Sequence, residues 1–320
     1  MGRVLGSTLR ERLTRVAAVI AVSHSIASDT SSKQRSQQFG LPRVIYLQVA
    51  TSLNTSLAFR TCKKEDKLET GIPADTDLPS VKALRASLAS QAQAPFKVGI
   101  LIGPGYIPMD MVGIQTVFGL MPGAEILLVW KNHELVEGFP SWWTKPNATF
   151  ADCPDLDVLA VPMLPPEIQN DPEVIQFVSD KAKDAKYLIG ICNGAVLLGA
   201  AGLLKGKRVT ASYNALSILE QLGASEVVPA GAGVVVDDNL YTAGPGIGSF
   251  EASLMVVEKA FGRPAAQLAE LIIEYDPHPP FKTGTPEGAG PHLTSMFEGM
   301  MANMVRGYRE GAVAHYKTLK

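Results

Sequence analysis

From Phe96 onward the sequence predicts an α/β fold, a mostly parallel sheet covered by helices on both faces. Three observations predict it. Short runs such as "KVGILI" (97–102) and "KYLIGI" (186–191) are apolar throughout, as strands buried on both faces are. They alternate with segments of helical period, which parallel strands need for their crossovers. Gly- and Pro-containing turns separate the two kinds of segment.

Each element follows in order. "KVGILI" is the first strand, closed by a Gly-Pro-Gly loop. A helix is expected from about Met109 to Leu120. "AEILLVW" (124–130) is the second strand and "DVLAVP" (157–162) the third, ended by Pro162. "PEVIQFVSDKAKDA" (172–185) has the spacing of an amphipathic helix. "KYLIGI" is the fourth strand, with a helix over 194–203. "RVTAS" reads as a short strand and "YNALSILEQLG" as a helix. "EVVP", "GVVVDD" and "NLYTAG" read as short strands between turns. Helices are expected over 249–262 and 265–276. No internal repeat is present.

The first ~95 residues differ in kind. Residues 1–37 hold six Arg or Lys, two acidic residues (Glu11 and Asp29) and many serines. An unstructured leader, a poor secretory signal and a transit peptide are the alternatives there. "LPRVIYLQVATSLNTSLAF" (41–59) has the composition to form local structure but no partner in the sequence, and "RTCKKEDKLETGIPADTDLPS" has the composition of a linker. The expected organisation is a leader over 1–95, the α/β domain over 96–290 and a helical tail over 291–320.

Net charge is −2, which excludes the basic footprint of a nucleic-acid binder. No uncharged apolar window reaches eighteen residues, so no membrane-spanning helix is expected. Three cysteines, Cys62, Cys153 and Cys192, with no CxxC pair, suit neither a disulfide scaffold nor a thiolate metal site. They fit a reducing compartment. Cytoplasmic placement is expected, with organelle import through the leader as the alternative.

The chemistry concentrates in "GICNG" (190–194). The spacing is that of a nucleophile elbow, with the reactive residue on a sharp strand-to-helix turn and glycines removing side chains that would clash. A helix starting at Gly194 would aim free N–H groups at the sulfur and lower the Cys192 pKa. The plain alternative is a buried cysteine acting as a small hydrophobe. Asp110 is the only charge between Lys97 and Glu125 and opens the helix after the first strand. A routine helix N-terminal acid would explain it. In a parallel sheet, however, loops after neighbouring strands converge at the carboxyl edge. There a carboxyl beside a thiolate would have its pKa raised and act as a general acid.

The elbow with its continuation "AVLLGAAGLLKGKRVTASY", "MDMVGIQTVF" after the first strand, and the closing "YDPHPPFKTGTPE" (275–287) together resemble the ThiJ/PfpI superfamily. The resemblance covers roughly residues 96–290 and is strongest to its isonitrile hydratase-like branch. It implies a flavodoxin-like three-layer sandwich, a Cys192 nucleophile, Asp110 as the acidic partner, and a homodimer. It also implies a small-molecule substrate and no cofactor or metal. Tyr213 falls where many relatives carry a histidine, Asn193 where the branch carries threonine, and "VPMLPPE" where relatives carry a Gly-Gly pair. Asn193, Gly194, Met163, Leu164 and Tyr213 are thereby the expected substrate-binding residues. Met163 and Leu164 would make the wall bulkier, and Pro165 removes a donor. The implied reaction is hydration of an isonitrile to an N-substituted formamide. A glyoxalase- or deglycase-type enzyme and a non-catalytic redox protein are the alternatives. An AraC-like regulator is not expected, because the 30 residues after Gly290 are few for a helix-turn-helix domain.

The remaining candidates are weaker. His24, His133, His278, His292 and His315 show no metal-ligand spacing and read as surface or loop residues. "GPGIG" (244–248) lacks the P-loop pattern and reads as a strand-to-helix turn. Trp142 and Trp143 would either line a pocket mouth or pack.

Overall fold

The computed structural model describes residues 95–319. The leader through Ala94, with Cys62, His24 and the stretch at 41–59, lies outside the described residues. Eleven strands are described: β1 (Phe96–Leu101), β2 (Ala124–Trp130), β3 (Val136–Gly138), β4 (Trp142–Thr144), β5 (Ala148–Thr149), β6 (Val158–Val161), β7 (Tyr187–Ile191), β8 (Arg208–Val209), β9 (Glu226–Val227), β10 (Val235–Asp237) and β11 (Leu240–Ala243). The α-helices are α1 (Pro108–Gly119), α2 (Pro166–Gln169), α3 (Pro172–Ala182), α4 (Gly194–Ala200), α5 (Leu216–Leu219), α6 (Ile247–Phe261), α7 (Arg263–Ile272) and α8 (Pro286–Thr318).

Seven strands form the main sheet in the order β10-β11-β7-β6-β1-β2-β5. Every pair in it is parallel except the β10–β11 hairpin. The five long-range strands therefore run β2-β1-β6-β7-β11, the flavodoxin-like order, and the chain reverses its direction of travel across the sheet between β1 and β6. Val98, Ile100, Leu159, Val161, Ile189 and Ile191 are fully buried, as a sheet covered on both faces requires. Helices α1, α6 and α7 pack together, and α2, α3, α4, α5 and α8 form the other group.

Local chemistry explains the elements. In α3, Asp171 caps the helix by accepting from the Glu173 N–H at 2.9 Å, Pro172 occupies the first turn, and Val174, Ile175, Phe177 and Val178 form the buried stripe. The expected helix over "YNALSILEQLG" is broken: a 3₁₀ turn (Tyr213–Ala215), α5 and a second 3₁₀ turn (Glu220–Leu222) share it, ending at Gly223 in the left-handed region. "RVTAS" does not join the main sheet; β8 pairs with β9 in a small parallel sheet of its own. The β3–β4 hairpin and β5 were not legible as strands, being two or three residues long. Trp142 and Trp143 are exposed on that hairpin, outside the packed core and off the wall of the cavity that Tyr213 lines.

The tail is helical, kinked near its start, and docked on the domain. Helix α8 begins at Pro286, five residues before the expected start of the tail at 291, with Thr285 accepting from the Gly288 N–H at 3.2 Å. It breaks at Gly290, where φ is 75° and Pro291 follows. Tyr308, Ala312 and Tyr316, four residues apart, form its buried stripe. Gly307 and Gly311 let it approach α2: a side chain at 311 would run into Asn170, whose Nδ2 donates to Gly307 O at 3.0 Å. Among the described residues, no helix is long and apolar enough to cross a membrane.

Candidate active site

Cys192 sits one residue past the end of β7, with φ at 57°. The left-handed region is uncommon for a residue with a side chain and costs about 1–3 kcal/mol. The neighbours hold the turn in place. The Cys192 N–H donates to Ala243 O at 3.0 Å, continuing the β7–β11 ladder through the thiol-bearing residue. A side chain at Gly194 would strike the carbonyl oxygens of Val161, the last residue of β6, and of Pro162 just after it, and one at Gly190 would meet Leu198. The glycines of "GICNG" thus allow β7 to turn into α4 directly beneath the β6 carbonyls.

Asp110 lies in the first turn of α1 and is fully buried. Its Oδ1 accepts from the Gly246 N–H at 2.7 Å and its Oδ2 from the Met163 N–H at 3.2 Å. The Cys192 thiol also donates to this carboxyl. β1 and β7 are not adjacent; β6 lies between them, and the loop after β6 supplies the Met163 donor. The meeting place is the carboxyl edge of the sheet beside the switch point between β1 and β6.

Electrostatics here correct one expectation. Cys192 is 9% exposed. Burial, and then the Asp110 charge, push its thiol well above the usual cysteine range. The Asn193 N–H and the Ser212 hydroxyl, both donating to sulfur, oppose this without overcoming it. Burial and the Asp110 charge thus work against the low-pKa thiolate expected from the N-terminus of the seven-residue α4. Burial raises Asp110 to about 6, against the pull of Gly246, Met163 and Cys192. The two acids are best described as a pair sharing one proton.

The other expected residues divide. Tyr213 lines a cavity of about 670 Å³ that reaches the site at Ser212 and Gly244–Pro245, beside Gly246. Met163 and Leu164 do not line this cavity; their side chains are buried in the core and their contribution is backbone. Met163 donates to Asp110, and Leu164 O accepts from the Tyr308 hydroxyl at 2.6 Å. The bulk expected at this wall therefore faces the core, and one N–H survives ahead of Pro165. Asn193 is buried away from the cavity: its side chain hydrogen-bonds Tyr308, and its carbonyl accepts from Gln169 Nε2 at 3.0 Å.

Tyr308 is the residue that sequence reading missed. Fully buried on α8, it ties Leu164 and Asn193 together beside Cys192, and burial pushes its phenol well up, so it remains a donor. The signal was available: Tyr308, Ala312 and Tyr316 at four-residue spacing, each pair with a glycine or small residue between, mark a docked helix face. None of the four described histidines lines the cavity or contacts the thiol; His133 and His278 face Asp152 and Asp276 on the surface. Among the described residues, no cluster of His, Cys, Asp and Glu is placed to hold a metal ion.

The DJ-1/PfpI family profile matches residues 96–259. The chain belongs to the DJ-1/PfpI family. It is 36% identical over 196 residues to isonitrile hydratase of Pseudomonas putida, covering 60% of this chain and 84% of that protein. A crystal structure of a ThiJ/PfpI family protein from Pseudomonas syringae superposes with a TM-score of 0.65 at 32% identity, covering 69% of this chain and 91% of that one. DJ-1β of Drosophila melanogaster shares the fold, with a TM-score of 0.51 at 19% identity over 57% of this chain and all of that one.

Proposed function

We propose that this protein is a cysteine enzyme that adds water to an isonitrile to give an N-substituted formamide. One observation carries the reading: a buried thiol and a buried carboxyl in hydrogen-bond contact, with no histidine beside them among the described residues. An isonitrile needs at one carbon both a nucleophile and a proton, which this pair can deliver together. The resemblance to a protein named isonitrile hydratase supports it.

The steps follow from the pair. The thiol proton passes to Asp110 as sulfur bonds to the terminal isonitrile carbon. The carboxyl proton goes to the same carbon, giving a thioimidate, R–N=CH–S–Cys192. Water adds across the C=N bond, the C–S bond breaks, and sulfur regains a proton as R–NH–CHO departs. Ser212 and the Asn193 N–H hold the sulfur while its charge develops. The Met163 and Gly246 N–H groups hold the carboxyl in place throughout. The high resting pKa of Cys192 weighs against a peroxide-sensing role, which needs an accessible thiolate.

The reactive form holds one proton on the pair. Below about pH 6 Asp110 takes up a second, so kcat/KM should fall with acid along a limb near 6. An alkaline limb should appear where the last proton leaves. The deciding experiment incubates the full chain with alkyl isonitriles and follows formamide by NMR. Formamide from the native chain, with loss of about a hundredfold or more in C192A and D110A, is expected. Turnover of methylglyoxal without formamide would overturn the reading in favour of a glyoxalase.

A further inference from the structure

The cavity beside the thiol carries more information than the pair does. Its walls come from the loop at Thr210–Tyr213, the glycine loop at 230–233, the start of α6, and the segment Thr283–Pro286 leading into α8. Most of these residues are small or apolar. Among the described residues, Glu251 is the only ionisable carboxyl on the wall, one turn into α6 beyond Ile247 and Gly248, which line the same cavity.

Its two oxygens are treated differently. Oε1 accepts from the Tyr275 hydroxyl at 3.0 Å. Burial and the neighbouring Glu251 charge push the Tyr275 phenol up, so it stays a donor. The Tyr275 ring stacks on Phe250 at 5.9 Å, which fixes the donor and so the carboxylate. Oε2 is turned toward Gly233, on the cavity wall, where a side chain would meet it. Among the described residues, no lysine, arginine or histidine forms an ion pair with Glu251. A half-buried carboxylate held by a tyrosine, with its second oxygen beside Gly233 on a cavity wall of mostly small or apolar residues, is suited to a cationic donor brought by the ligand. A neutral apolar substituent would leave that oxygen uncompensated once water is displaced.

We propose that Glu251 is the specificity-determining residue of this site, and that the substrate's N-substituent ends in a protonated amine which Glu251 receives. This rests on the hydration reading above for the reacting end of the molecule, but not for the charge preference of the cavity. Tyr275 acts as a positioning residue for Glu251.

Two measurements test it. The first compares isonitriles of matched chain length ending in an ammonium, a hydroxyl or a carboxylate. The ammonium compound should have a KM roughly fivefold to tenfold below the hydroxyl compound, with kcat little changed, as expected of a partly desolvated ion pair. In Glu251→Gln, which keeps an acceptor for Tyr275, that ratio should collapse toward one. A thermal melt establishes that this variant is folded. If it is not, the native preference for ammonium over carboxylate decides alone. An unchanged ratio in the folded variant, or native preference for the hydroxyl or carboxylate compound, overturns the proposal.

The second measurement does not use hydration. Alkylammonium ions and the matched alkanols compete with iodoacetamide for Cys192, followed by mass spectrometry. Protection by the ammonium in the native chain, lost in Glu251→Gln, supports Glu251 recognition even if no isonitrile is hydrated; then only the hydration reading fails. Equal protection by ammonium and alkanol, or none by either, overturns the Glu251 proposal whatever happens to the isonitriles.

Discussion

At the residue scale, Asp110 and Cys192 show what a sequence discloses and what it hides. That an acid and a thiol of these types meet at one sheet edge was legible from the elbow glycines and from a lone charge after the first strand. Their protonation was not, because it depends on burial: both are enclosed by the loop after β6 and by Gly246, residues far apart in the chain. The enclosure makes a testable demand. Asp110 has its pKa raised from 3.8 to about 6, so the folded chain holds that proton more tightly than the unfolded chain. The resulting stabilisation is full below pH 3.8 and is lost as pH rises through 6. Between pH 7 and pH 4 the native chain should therefore gain about 2–3 kcal/mol relative to Asp110→Asn, measured by urea unfolding at each pH. A difference that does not move with pH would mean that the carboxyl is not desolvated as described. The same variant removes the charge that raises the thiol, so Cys192 should alkylate several-fold faster at neutral pH while hydration is lost. Cys153 provides the internal control. Burial raises its thiol to about 11, with Asp152 and Asp155 adding to the effect, and its rate should not respond to the substitution at 110.

At the scale of elements, the central strands β1, β2, β6 and β7 were readable because they are apolar runs, and β2 falls on the residues expected for it, whereas the two-residue edge strand β5 was not readable. Nor were the short hairpin β3–β4 and the broken helix around α5, since two or three residues carry no period and tertiary contacts decide them. Helix α8 is the instructive case. It was treated as an appendage, yet it brings Tyr308 to the elbow. Removing the Tyr308 hydroxyl leaves Leu164 O and the Asn193 side chain without a buried partner, which costs about 1–3 kcal/mol. Tyr308→Phe should unfold at lower urea and lose several-fold in kcat with little change in KM, because it positions the loop carrying the Met163 donor and does not touch the cavity. Gly311→Leu should do more. It drives a side chain into Asn170 and lifts the whole helix, so both stability and kcat should fall together. If Gly311→Leu lowers stability but leaves turnover intact, α8 is a structural brace and Tyr308 has no part in the chemistry.

At the scale of the molecule, the strand order places the thiol, the carboxyl and the cavity at one edge of the sheet, and it leaves one surface unexplained. On α8, Leu293, Met296, Phe297 and Met300 recur at i, i+3, i+4 and i+7 and all are exposed, Met300 at 74%. Such a stripe marks a helix face made for burial, yet here it faces outward. Two of its members, Leu293 and Phe297, also line the cavity, so the stripe continues from the candidate active site. We propose that a second copy of the chain covers it, as the superfamily resemblance implied, and that the homodimer closes the outer wall of the cavity. Light scattering of the native chain at about 10–50 micromolar should give twice the chain mass, since a dimer of low-micromolar Kd is populated there. Met296→Glu with Met300→Glu places two charges on the stripe and should shift the chain to a monomer. KM should rise in that variant, because the cavity loses its cover, while the Cys192–Asp110 pair stays intact. A native monomer at these concentrations would sink the dimer. A dimer that survives both charges would move its interface elsewhere, and the stripe would then need another partner.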